Sequence, residues 1–166
     1  MIQRLEDILK DRFGLDEEHL AAAQQIKTET RGNIGQILVE QKNLSETQLL
    51  EALSIQYGIP FWSKLPFENA ESDFTHKVSI QFLKKYHLVP LEYSQPISAK
   101  ECGFAPQNDR QDPAAQFAPG CYIAISDPLN FQPLDDLVRT IGIDNYRIVL
   151  STREAIFSAI NLQYDL

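Results

Sequence analysis

Two stretches near the start of the chain carry one helical pattern written twice, and this repeat constrains the fold more than any other feature. With a shift of 29 residues, Leu5 falls on Ile34, Ile8 on Ile37, Leu9 on Leu38 and Leu15 on Leu44. Asp16 then falls on Ser45, Leu20 on Leu49 and Ala23 on Ala52. Within each copy the apolar residues stand at i, i+3 and i+4, which lines one face of a helix. Ser45 with Gln48 is a capping-box pattern, and Leu49, Ala52 and Leu53 follow on one face. Asp16, Glu17 and Glu18 suit the positive end of another helix. The period predicts a duplicated helix–turn–helix unit over residues 1–57. Two copies are too few for a solenoid, so they pack on each other or on the rest of the chain.

The pattern changes after Tyr57. Gly58, Pro60 and Pro66 break the helix, and residues 58–77 read as a connector. Its Phe61, Trp62, Leu65 and Phe67 are expected to be pinned onto a core. Val78–Lys85 reads as a short helix. Tyr86–Leu91, Cys121–Ser126 and Tyr146–Ser151 read as strands. Pro133 opens a helix with Leu134, Leu137, Val138 and Ile141 on one face, and Gly142 stops it. Strand, helix, strand from 121 to 151 reads as a crossover that sets two strands parallel. Ser151 with Glu154 is read as the capping box of a final helix. Pro90 has no N–H for a ladder, so its strand should be an edge, or end there. Residues 92–120, rich in Pro, Gly, Gln, Asn and Asp, read as an inserted mobile loop. The expected fold class is α+β. A helical repeat pair is followed, over 78–166, by a small α/β subdomain of about three strands flanked by helices.

Charge and composition narrow the function. The 166 residues hold 15 Lys and Arg against 23 Asp and Glu, a net charge of −8. The excess is spread evenly, with 6 basic against 10 acidic residues in 1–60 and 9 against 13 in 61–166. No clustered cations are present to displace counterions, so nucleic acid is not an expected partner. Cys102 and Cys121 form neither a zinc spacing nor a CxxC pair and read as free thiols. No apolar run approaches membrane-spanning length, and the start MIQRLEDILK lacks the apolar stretch of a signal peptide. The expected location is cytoplasmic. There is no GxxxxGK[ST], GxSxG or HExxH motif. His19, His76 and His87 are scattered, Asp135 and Asp136 fit the first turn of a helix, and Lys84 with Lys85 is two charges rather than a patch. No catalytic residue and no metal site is predicted. The chain reads as a binding or scaffolding module.

The run from Ile34 to Gln56 resembles the repeated helical motif in the N-terminal domain of type II secretion and type IV pilus assembly ATPases, the GspE/PilB type. Tyr57-Gly58-Ile59-Pro60-Phe61, Tyr86–Leu91 and Ile123–Pro128 match further pieces of that domain in the same order. Outside 92–120 the resemblance covers nearly the whole chain. It implies a non-catalytic assembly and regulatory domain that docks the motor to its inner-membrane platform. It implies partners: the cytoplasmic domain of an inner-membrane secretion platform protein and the chain's own C-terminal ATPase domain. The Walker motifs, ATP and Mg belong to that C-terminal domain, so no cofactor is expected here. The location implied is the cytoplasmic face of the inner membrane, peripheral through partners. A stand-alone adaptor is a weaker reading.

Some relatives bind cyclic di-GMP through the two repeats, which gives an alternative function, a cyclic di-GMP sensor domain. The positions that match their motif are Arg4 and Leu5 in the first copy, and Ile34, Gly35, Leu38, Val39, Leu49, Leu53 and Gln56 in the second. Asn33 stands where the motif has Arg, and Lys42 where it has a second Gly. In the first copy Glu6 and Phe13 replace the two glycines, and Lys27 replaces the Gln. Side chains block the close approach that Gly allows, and Asn has no planar cationic fork. Cyclic di-GMP is therefore expected to bind weakly or not at all.

Overall fold

The computed structural model describes residues 4–66, 70–71, 77–103, 116–128 and 131–164. The chain divides after Gly58 into two units, Met1–Gly58 and Ile59–Leu166.

The first unit is four helices: α1 (Leu5–Phe13), α2 (Glu17–Thr30), α3 (Ile34–Glu40) and α4 (Glu46–Tyr57). The starts of α1 and α3 are 29 residues apart, and so are those of α2 and α4. The repeat in the sequence is thus a repeat of structure. α1 packs on α4, α2 on α3, and α3 on α4, so the copies bury their apolar faces in each other. Leu9, Ala23, Leu38 and Ala52 are fully enclosed. Matching positions do not give matching caps. Ser45 and Gln48 form the expected capping box on α4. Asp16 occupies the same position before α2, but its side chain makes no capping hydrogen bond. Its carboxylate lies 3.8 Å from His19 instead.

The second unit contains β1 (Ala70–Glu71), α5 (Ile80–Tyr86), β2 (Leu88–Tyr93), β3 (Ile97–Ser98), β4 (Gln116–Phe117), β5 (Gly120–Ile125), α6 (Gln132–Ile141), β6 (Arg147–Leu150) and α7 (Arg153–Gln163). One sheet has the order β1-β2-β5-β6, and β3 pairs with β4 apart from it. β2 and β5 are antiparallel, with Pro90 opposite Ile123. β5 and β6 are parallel, with Ile123 opposite Ile148, and α6 makes the crossover expected from the sequence. The body of the sheet is therefore the three strands β2, β5 and β6, and the α+β fold class read from the sequence is the observed one.

Paired residues share a face of a sheet. One face carries Val89, Leu91, Tyr93, Tyr122 and Ala124, all buried. Over it lies an aromatic cluster: the Trp62 ring is 4.9 Å from those of both Phe117 and Tyr122, and 6.3 Å from that of Tyr93. The segment that brings Trp62 there is stitched in on two sides. Trp62 N donates to Leu150 O at 2.8 Å, Leu150 N donates to Pro60 O at 2.8 Å, and Lys64 N donates to Cys102 O at 3.1 Å. Phe61 and Trp62 thus belong to the second unit's core, as expected of these connector residues, and 60–64 are bonded to its strands and turns.

Three further expectations change. β2 is not an edge strand by order: among the described residues, β1 pairs with its Glu92 and Tyr93. The carbonyl of Pro90 turns away from β5 and accepts from Gln163 Nε2. The N and C=O of one strand residue point the same way, so the missing N–H of Pro90 faces the side on which its carbonyl meets Gln163, and leaves the ladder with β5 intact. Within 92–120, the described part is not loop throughout: it holds the end of β2, then β3 and β4, with Ile97, Ala99 and Cys102 buried. The central part of that expected loop, 104–115, lies outside the described residues, as do Phe67 and His76. Finally, Ser151 does not cap α7. Thr152 does, accepting from Ala155 N at 3.1 Å. Ser151 is fully buried, and its hydroxyl donates to Trp62 O at 2.8 Å.

Candidate functional site

The positions that match the cyclic di-GMP motif are mostly packing residues. Leu5, Ile34, Leu38 and Leu53 are buried in the four-helix core. Val39, Leu49 and Gln56 are half-buried, and Arg4 is exposed just ahead of α1. Gly35 is buried in the first turn of α3, and a Cβ there would meet Leu49 Cδ1 at 2.6 Å. Glycine at 35 therefore lets α4 approach α3, a structural reason for the residue. The positions that depart from the motif are occupied in other ways. Asn33 caps α3, accepting from Gly35 N at 2.8 Å and Gln36 N at 3.3 Å. Glu6 accepts from Gln24 at 3.3 Å and lies 3.8 Å from Arg4. Lys42, at the position of the motif's second glycine, has φ +62°. It keeps the left-handed turn that glycine favours but adds a side chain. In the first copy α1 is longer than α3, and the left-handed residue is Gly14, one place beyond Phe13.

A second location was not marked by the sequence. In the second unit, a small cleft of about 120 Å³ opens where β5 and the start of α7 meet the end of α5. Leu88 and Ile125 are buried and form its apolar base. Lys85, Tyr86 and His87 come from the end of α5, Ser126 and Asp127 from the residues after β5, and Pro133 and Arg153 from the first turns of α6 and α7. The place has a topological cause: β5 and β6 are parallel, and crevices form outside the carboxyl ends of parallel strands. His87 takes φ +55° to end α5, and its ring lies 5.3 Å from Phe157. Lys85 Nζ is 5.2 Å from the Tyr86 ring. The sequence showed His87 as one of three scattered histidines and Lys85 as one of two charges, because only the fold brings them together with Arg153. The signal available was the crossover itself, which marks the end of β5 as a place to look.

Among the described residues, no group of three or more His, Cys, Asp or Glu is placed to hold a metal ion. No helix there is long and apolar enough to cross a membrane. Cys102 is buried and Cys121 half-buried, and the two form no disulfide. Burial, with the nearby Glu92 charge, pushes the Cys121 thiol up to about 11. Burial also raises Tyr93 and Tyr164, whose hydroxyls donate to Pro66 O and Val78 O. These shifts oppose ionisation and so activate none of the three groups.

A repeated helix pair, followed by an α/β unit whose parallel strands cross over through one helix, is a fold shared with solved structures of other proteins. Residues 118–166 match the family model of the MshEN domain. Over the whole chain, the fold is similar to a structure of MshE with cdg, with TM-score 0.63, 18% identity, and 98% of this chain and 99% of that one covered. It is also similar to the N-terminal domain of XpsE, with TM-score 0.55, 19% identity and 97% of each chain covered. No curated protein matches the sequence. The resemblance read from the order of short motifs is borne out by the family match over residues 118–166 and by the likeness in fold to these structures.

Proposed function

We propose that this chain is the non-catalytic N-terminal assembly and regulatory domain of a type II secretion traffic ATPase, and that it docks the motor to its platform. Its partners are the cytoplasmic domain of an inner-membrane secretion platform protein and its own C-terminal ATPase domain. ATP and Mg are bound by the latter alone, and the domain works at the cytoplasmic face of the inner membrane. The observation that carries this reading is the likeness in fold to the N-terminal domain of XpsE across 97% of both chains. Size-exclusion chromatography with the platform protein's cytoplasmic domain, at tens of micromolar and low salt, tests it. A stable complex is expected, and separate elution of the two proteins overturns the docking role. Phosphate release from ATP by this chain should not exceed a protein-free blank.

The likeness to MshE with cdg favours a second reading, a cyclic di-GMP sensor. Against it stand the side chains at 6, 33 and 42, two of which are already engaged within the first unit. Titration calorimetry separates the readings. No heat of binding is expected, and a micromolar or tighter dissociation constant makes the sensor the primary function.

A further inference from the structure

We propose that the cleft between the end of α5 and the start of α7 is a socket for one carboxylate side chain, a Glu or Asp on an acidic segment of a partner protein. This names a contact for the docking reading above and rests on it for the partner's identity. Size is the first argument. Small-molecule sites usually span about 300–1,000 Å³, whereas this cleft has about 120 Å³. A nucleotide does not fit, and a single side chain does.

Charge is the second argument. Lys85 and Arg153 line the cleft against Asp127, which leaves one positive charge in excess, with His87 beside them. The chain as a whole carries −8, so an excess of positive charge in the cleft runs against the average of the molecule. An acidic segment repelled elsewhere on the surface is guided to one place, which fixes orientation as much as affinity. Arg153 has five donors in a fixed fork, and can hold an existing partner while receiving a carboxylate. It is also the first residue of α7, an 11-residue helix, whose positive end adds to the field.

Shape is the third. The apolar base of Leu88 and Ile125, with the wall of Tyr86 and Pro133, suits the methylenes of a Glu side chain, while its head meets the cations at the rim. Tyr86 is among the few large apolar side chains left exposed in the described residues.

The test uses the whole chain and a blocked acidic peptide, acetyl-Glu-Glu-Leu-Glu-Glu-amide, followed by NMR of backbone amides at low salt. Shifts are expected at Ser126, Asp127, Arg153 and Glu154 with millimolar affinity. They should weaken at least fivefold in Lys85→Glu, weaken with added salt, and stay unchanged in Lys27→Glu, an exposed residue of α2 in the first unit. Lys85 is exposed, so its reversal leaves the core intact. No shift at those amides, equal shifts with the Gln-for-Glu peptide, or equal affinity in Lys85→Glu overturns the socket. Inorganic phosphate shifting the same amides tenfold more tightly than the peptide overturns the choice of carboxylate. None of these readings depends on the platform protein, so a failed socket and a failed docking role are told apart.

Discussion

Gly103 is the residue whose replacement should hurt most for its size. Its φ of +64° is one that side chains rarely adopt, and a Cβ there would collide with Ser63 Oγ. Ser63 cannot simply step aside, because it donates to Gly103 O and its neighbour Lys64 donates to Cys102 O. Gly14 has the same φ, +63°, but open space around it. Gly14→Ala should therefore cost only the left-handed penalty of ~1–2 kcal/mol, and Gly103→Ala about 2–4 kcal/mol. Urea unfolding, read on the transition of each residue's own unit, checks the ranking. Cys121 gives a pH-dependent prediction. Its thiol titrates at about 11 in the folded chain against an ordinary 9.0. At pH 9 the folded thiolate fraction should be roughly fiftyfold below that of an unhindered thiol. Alkylation by iodoacetamide, followed on the Cys121 peptide by mass spectrometry, should slow accordingly. Because the folded pKa is the higher one, the folded state keeps a proton that the unfolded state gives up. This contribution to stability is complete below pH 9 and lost as pH rises toward 11.

Helix caps show which local signals the sequence carries and which the fold decides. Ser45→Ala removes the bond that Ser45 Oγ accepts from Gln48 N, leaves the backbone N of residue 45 to donate to Gln48 Oε1, and should cost ~1 kcal/mol. Asp16→Ala, at the matching place before α2, should cost only a few tenths, since no capping bond is lost. Thermal melts of the two variants test the difference, and equal losses refute it. The capping box is legible because Ser45 and Gln48, three residues apart, bond to each other. Ser151 misleads for the opposite reason. It has the residue type and spacing of a cap, but it follows the buried end of β6, and a bond to Trp62, 89 residues away, takes its hydroxyl. The next residue, Thr152, supplies the cap. Pro90 is the same lesson in a strand. Its constraint is readable, but the amide of Gln163 that binds its carbonyl comes from a distant part of the chain. Local pattern thus reveals the helices, the crossover and the repeat, while partners at long range stay hidden. The cleft at the end of β5 belongs to the hidden kind, as its lining spans residues 85 to 153.

At the scale of the whole molecule, the two units differ in how they close their cores. The first is sealed by one repeat packing on its copy. The second needs a piece from its own beginning, because Trp62 is fully buried against Tyr93, Phe117 and Tyr122. A fragment of residues 59–166 should therefore fold by itself, and one of 78–166 should not. The shorter piece loses Phe61 and Trp62, uncovering the aromatic face of the sheet. Loss of a buried Trp alone costs ~3–5 kcal/mol. It also strips Leu150 of its two backbone bonds to residues 60–62 and leaves the buried hydroxyl of Ser151 without its acceptor. Each such orphan adds about 1–3 kcal/mol, and the sum matches the whole stability of an ordinary small domain. Circular dichroism, with the near-UV signals of the tyrosines common to both, compares the fragments. A cooperative melt is expected for 59–166 and a non-cooperative one for 78–166. A cooperative melt of 78–166 would mean that the segment 60–64 only decorates the sheet, and that the second unit begins at α5.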